Sequence, residues 1–109
     1  MVVTNIVSPQ ELHDMLHSDE DVVVIDVLPP EYFRKQHIPK ALNIPLDHLE
    51  LVLEVIEHHR RIIVYCYNEE CTASDKAVEK LIELGYENVA DLAVGIEGYK
   101  HDGFSVITY

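Results

Sequence analysis

The chain has 109 residues, the length of one small domain, and 48% of them are apolar, enough for one core. Its apolar residues come in short blocks, none near the roughly 20 residues a membrane-spanning helix requires. With 8 Lys and Arg against 20 Asp and Glu, the formal charge of −12 argues against nucleic acid and anionic membrane as partners. The start, Met1-Val2-Val3-Thr4-Asn5, lacks the basic and apolar stretches of a signal peptide. A soluble, cytoplasmic chain that forms one domain over 1–109 is the expectation.

The elements follow in order. Ser8-Pro9-Gln10-Glu11 opens a helix, with Ser8 as cap, Pro9 in the first turn and Glu11 closing a capping box. Leu12, Met15 and Leu16 share its apolar face. Val22-Val23-Val24-Ile25-Asp26 reads as a buried parallel strand ending in an acid. After Pro29-Pro30, one helical turn is expected over Glu31 to Lys35. His37-Ile38-Pro39 reads as extended, because a residue before proline avoids the helical region.

Ala41 to Ile44 is the next short strand. A helix is predicted over Leu46 to His58, burying Leu49, Val52, Leu53 and Ile56, with His58-His59 complementing its C-terminal dipole. Ile62 to Cys66 is a second buried strand. The helix from Ala73 to Leu84 buries Ala77, Val78, Leu81 and Ile82, and Gly85 ends it in a left-handed cap. Val89-Ala90-Asp91-Leu92 is another strand, Gly95 to His101 a last helical turn or two, and Phe104 to Ile107 an edge strand. Strands alternating with helices predict an α/β fold, with a parallel-rich sheet covered by helices on both faces.

The chemistry concentrates at Cys66. A thiol between a strand end and a helix start sits near backbone N–H groups and the positive end of a helix dipole. Both favour the thiolate, and the same corner binds anions. Ligands of parallel sheets bind beyond the carboxyl ends of strands, so Asp26 and Cys66 both become candidates to line a site.

Four motifs, in order, resemble those of the rhodanese-like sulfurtransferase domains. They are Val24-Ile25-Asp26-Val27, then Phe33 with His37-Ile38-Pro39-Lys40-Ala41-Leu42-Asn43-Ile44-Pro45. Next come Ile63-Val64-Tyr65-Cys66 and the pair Gly85-Tyr86-Glu87-Asn88-Val89 and Val94-Gly95-Ile96-Glu97-Gly98-Tyr99. The resemblance implies a central, mostly parallel five-stranded sheet. It implies that Cys66 accepts a sulfane sulfur from thiosulfate or a persulfide, becomes a persulfide, and passes the sulfur to a thiol or cyanide. The loop Tyr67, Asn68, Glu69, Glu70, Cys71 and Thr72 would cradle the anion.

Asp26 and His37 fall in structural motifs, and Cys71, Ser74 and Lys76 are possible accessory residues. No metal and no cofactor is expected, and the chain is expected to act as a monomer, with a partner protein among the options for donor or acceptor. Leu28 stands where the family often has Arg. Gln36, Lys40 and Val94 stand at glycine positions, and Tyr99 stands at the Trp position. The active loop is longer than in the plain single-domain enzymes and holds a second cysteine.

Other readings stay open. Cys66 and Cys71 can form a thiol–disulfide redox pair, or the fold can serve as a non-catalytic interaction module. Thr72 and Ser74 can cap the helix or bind an anion. A zinc site would be incomplete with two cysteines and a distant His. The related phosphatases place Arg six residues after the cysteine to clamp phosphate, and here that position is Thr72.

Overall fold

A computed structural model describes residues 5–109; residues 1–4, read above for leader character, lie outside the described residues. Among the described residues, seven strands and five α-helices follow in chain order. They are β1 (Asn5–Ile6), α1 (Pro9–Leu16), β2 (Val22–Asp26), α2 (Pro30–Lys35), β3 (Gln36–His37) and β4 (Leu42–Asn43). A 3-10 helix (Leu46–Leu51) leads into α3 (Val52–Val55), then β5 (Arg61–Tyr65), α4 (Ala73–Glu83), β6 (Val89–Leu92), α5 (Gly95–His101) and β7 (Ile107–Thr108). Five strands form an all-parallel sheet in the order β1-β6-β5-β2-β4.

The expected edge strand over Phe104 to Ile107 is not in this sheet. Residues 107–108 instead pair antiparallel with β3 in a separate two-stranded ribbon. The fifth strand of the main sheet is β1, a two-residue element whose apolar content is too short to read as a strand.

Alternation along β5 divides the core. Ile62, Val64 and Cys66 face one layer with Leu49, Val52, Ile56, Ala77, Val78 and Leu81. Ile63 and Tyr65 face the other layer, against Leu12, Leu16, Ile96 and Tyr99. Residues that alternate in a strand point to opposite faces, and a strand apolar on both faces is buried on both. Each fully buried aliphatic side chain in these layers contributes about 1.5–3 kcal/mol by leaving water.

Local signals set the helix ends. Ser8 Oγ accepts from Glu11 N at 3.1 Å, and Glu11 Oε1 accepts from Ser8 N at 2.9 Å, the reciprocal capping box expected. Gly85 has φ +100°, and around it Tyr86 N donates to Leu81 O and Gly85 N to Ile82 O, both at 3.0 Å. That pair of bonds is the Schellman motif, which closes the last carbonyls of α4. Ile82, expected inside, is 39% exposed, because it lies off the stripe that carries Ala77, Val78 and Leu81.

The helix expected over 46–58 is broken. His48 has φ −122° and ψ +23°, and the chain leaves helical geometry at Ile56. The Tyr86 hydroxyl lies 2.7 Å from Ile56 O and 3.0 Å from Val52 O, so a side chain from after α4 satisfies the Ile56 carbonyl that a longer helix would use, while Val52 O keeps its helical bond from Ile56 N. Leu53 is accordingly 46% exposed. His58 serves a different helix end from the one expected: its ring nitrogen lies 3.0 Å from Leu84 O, beyond the end of α4, and its ring stacks on Tyr86.

Lys40 occupies a left-handed backbone conformation at φ +70°, where the resembled motif has glycine. Its Nζ donates to Leu16 O at 2.9 Å, tying the β3–β4 connection to α1.

Candidate active site

Cys66 directly follows β5 and is 1% exposed. Its neighbour in the loop is fixed by α5. Ile96 N donates to Cys66 O and Glu97 N to Tyr67 O, both at 3.0 Å. The first N–H groups of α5 therefore hold the loop by its carbonyls, leaving the loop's own N–H groups for other work. Gly95 makes this approach possible. It has φ +68°, and a Cβ there would lie 2.5 Å from Tyr67 C and 2.6 Å from Asn68 N.

Asn68 shapes the next turn, since its Oδ1 accepts from Glu70 N and its carbonyl from Cys71 N, both at 3.1 Å. The turn returns Cys71 to Cys66, and the two are joined in a disulfide with Cα atoms 6.3 Å apart. The N–H groups of Tyr67, Asn68, Glu69 and Thr72, and those of Ala73, Ser74 and Asp75 in the first turn of α4, donate to no partner among the described residues. Thr72 precedes α4 but its side chain makes no capping bond, because its backbone is already helical at φ −98°, ψ −2°. The capping role weighed for Thr72 and Ser74 is thus not taken up. Ser74 turns inward instead, 2% exposed, with its hydroxyl 3.7 Å from the Cys66 sulfur.

Glu69 and Glu70 are exposed, and so is Lys76. Solvent and salt screen such charges, which weakens their pull on the thiol. A depression beside the loop is lined by Leu28, Tyr32, Lys35, Gln36, Tyr67 and Ile96. Lys35 brings a cation to this rim from α2, a contribution invisible in the loop sequence itself.

Asp26 does not line the site with Cys66. It pairs in register with Tyr65, whose side chain faces the layer opposite Cys66, and it is fully buried. Its Oδ1 accepts from Leu28 N at 2.9 Å, while Asn43 Nδ2 donates to Asp26 O and Leu28 O. Burial pushes the Asp26 carboxyl up to about 6, opposed by bonds from Leu28 and Tyr65 and by the nearby His37. His37 stacks on Phe33 at 3.9 Å and its Nδ1 lies 3.1 Å from Phe33 O, which holds α2 against the β3 strand.

The buried acid on the Cys66 side of the sheet is Asp91, read in the sequence only as a strand residue. It pairs with Val64 in the β5–β6 register and is 1% exposed. Burial raises its carboxyl to about 6; hydrogen bonding from Ser74 opposes this, and the Asp75 carboxyl adds to it. The signal available in sequence was an acid inside an apolar strand, one residue before that strand's end.

Comparison with known proteins fits this architecture. A family model described as the rhodanese-like domain matches residues 8–102. The chain belongs to the rhodanese-like family. It is 26% identical over 105 residues to a sulfurtransferase of Allochromatium vinosum, covering 96% of each chain. It is 29% identical over 80 residues to the thiosulfate sulfurtransferase GlpE of Coxiella burnetii, covering 73% of each. It matches the adenylyltransferase and sulfurtransferase UBA4 of Candida albicans at 28% identity, spanning 88% of this chain but 23% of that protein. Among solved structures, the BH2092 protein from Bacillus halodurans superposes with a TM-score of 0.89 at 27% identity, covering 96% of this chain and 77% of that one. No helix among the described residues is long and apolar enough to cross a membrane.

Proposed function

We propose that this chain is a sulfurtransferase carrying a sulfane sulfur as a persulfide on Cys66, with the 67–72 loop as its anion cradle. The observation that carries the reading is Cys66 directly after β5, beside loop and α4 N–H groups that donate to no partner among the described residues. Family membership and the names of the relatives supply the class of reaction.

The Cys66 thiolate attacks the outer sulfur of the donor, and the donor's sulfur–sulfur bond breaks. With thiosulfate, sulfite leaves and takes the electron pair. The thiolate of an acceptor, or cyanide, then attacks the outer sulfur of the persulfide, and Cys66 departs as thiolate. N–H donors around the outer sulfur stabilise the charge that develops there. Tyr67, Asn68, Glu69, Glu70, Cys71 and Thr72 supply the cradle's backbone, while Lys35 shares a depression with Tyr67 and Lys100 shares another with Asn68 and Glu69. A net charge of −12 opposes free anions, which favours a protein persulfide or a low-molecular-weight persulfide as donor. Cys66 must be a thiol to start the cycle, which suits a reducing cytoplasm.

The Cys66–Cys71 disulfide favours a second reading, a thiol–disulfide redox function. Single variants separate the two in a turnover assay with thiosulfate or glutathione persulfide as donor and cyanide as acceptor, run under reducing conditions. Sulfur transfer predicts no turnover in Cys66→Ser and a measurable rate in Cys71→Ser. Equal loss in both variants would favour the redox reading, and no turnover in the unmodified chain with either donor would favour an interaction module.

A further inference from the structure

We propose that Asp91 is a positioning residue for Cys66, acting through the Ser74 hydroxyl to set how readily the thiol gives up its proton. This deepens the reading of Cys66 as the reacting thiol. Two buried acids, Asp26 and Asp91, lie in the described strands of the sheet, and only Asp91 shares the Cys66 side. Val64, its register partner, lies in the same core layer as Cys66. Ser74, from the first turn of α4, holds its hydroxyl 3.7 Å from the Cys66 sulfur and is a hydrogen-bonding neighbour of the Asp91 carboxyl, and all three residues are at most 2% exposed. Asp91 Oδ1 has no hydrogen-bond partner among the described residues, which is costly for a buried carboxylate unless it serves a purpose.

The hydroxyl hydrogen of Ser74 has two places to go. A protonated Asp91 donates to Ser74 Oγ, and the Ser74 O–H then donates to the sulfur and stabilises the thiolate. An ionised Asp91 takes the Ser74 O–H for itself. The sulfur then loses a donor and faces a buried negative charge, so it holds its proton more tightly. The two groups titrate as a pair. Among the described residues, the other titratable group facing Asp91 is the Asp75 carboxyl on α4, which favours the protonated form. On its remaining sides, β1 presents Asn5 and Ile6, and β5 presents Ile63 and Val64, none of them charged. The Tyr65 hydroxyl is turned to the opposite face, where it donates toward Asp26 and accepts from Ile38 N.

The test is the pH profile of iodoacetamide alkylation in the full chain carrying Cys71→Ser, so that Cys66 is the single thiol. The expected rate rises with pH, flattens as Asp91 ionises, and rises again as the remaining thiol ionises. Adding Asp91→Asn should remove the shoulder and shift the single limb to lower pH, with several-fold faster alkylation at neutral pH. Adding Ser74→Ala should shrink the shoulder. Circular dichroism checks that each variant folds, and Ser74→Ala carries the test if Asp91→Asn does not. Superimposed profiles for parent and Asp91→Asn, or an undiminished shoulder in Ser74→Ala, would overturn the proposal. Alkylation requires no sulfur donor, so failure of the sulfur-transfer reading would leave this result separately readable.

Discussion

Asp26 shows how one buried acid couples stability to pH. Its native carboxyl is raised to about 6 against an ordinary 3.8. Between those values the folded state holds a proton that the unfolded chain has released, so stability falls as pH rises through this window and stays lower above it. Asp26→Asn keeps an acceptor for Leu28 N and removes the ionisation. Chemical denaturation at pH 4 and pH 7 should show the parent losing on the order of 2 kcal/mol more than the variant across that interval. Parallel losses would contradict this account of Asp26. The sequence marks Asp26 as a strand-ending acid, but not the face it takes. That depends on the pairing of Asp26 with Tyr65 and of Asp91 with Val64, and register between distant strands has no local signal. For that reason Asp91, not Asp26, shares the Cys66 side of the sheet.

Among the elements, α4 was legible at both ends and the 46–58 region was not. Gly85 and the Ala77, Val78, Leu81 stripe are local features, whereas the break at Ile56 is made by Tyr86, 30 residues away in the chain. The loop after β5 was legible as a corner between a strand end and a helix start, where backbone N–H groups are left without partners among the described residues. Its disulfide was only one option, and its anchoring by α5 depends on a glycine whose partner residues lie far back in sequence. Gly95→Ala tests that anchoring. The left-handed φ and the contact with Tyr67 and Asn68 should cost about 1–3 kcal/mol or more in stability. Turnover should fall further than in Gly85→Ala, which bears a comparable backbone strain away from the loop. Equal activity in the two variants would show that the loop does not depend on α5.

Over the whole molecule, the fold class follows from alternating strands and helices, while the fifth strand escaped notice because β1 is two residues long. The −12 charge is a property of the entire surface, and it makes a kinetic prediction. For an anionic donor, kcat/KM should rise with ionic strength as salt screens the repulsion, over the range where the Debye length shrinks from about 30 Å to about 8 Å. A neutral acceptor thiol should show no such trend. A rate for thiosulfate that falls with salt would mean that a local cationic patch, centred on Lys35 or Lys76, outweighs the global field.

The most direct test of sulfur transfer through Cys66 is intact-mass spectrometry of the reduced chain after brief exposure to thiosulfate and, separately, to glutathione persulfide. The prediction is an adduct of one sulfur atom that cyanide removes and that Cys66→Ser does not form. A chain that takes up no sulfur from either donor, or one whose adduct survives in Cys66→Ser, would contradict it.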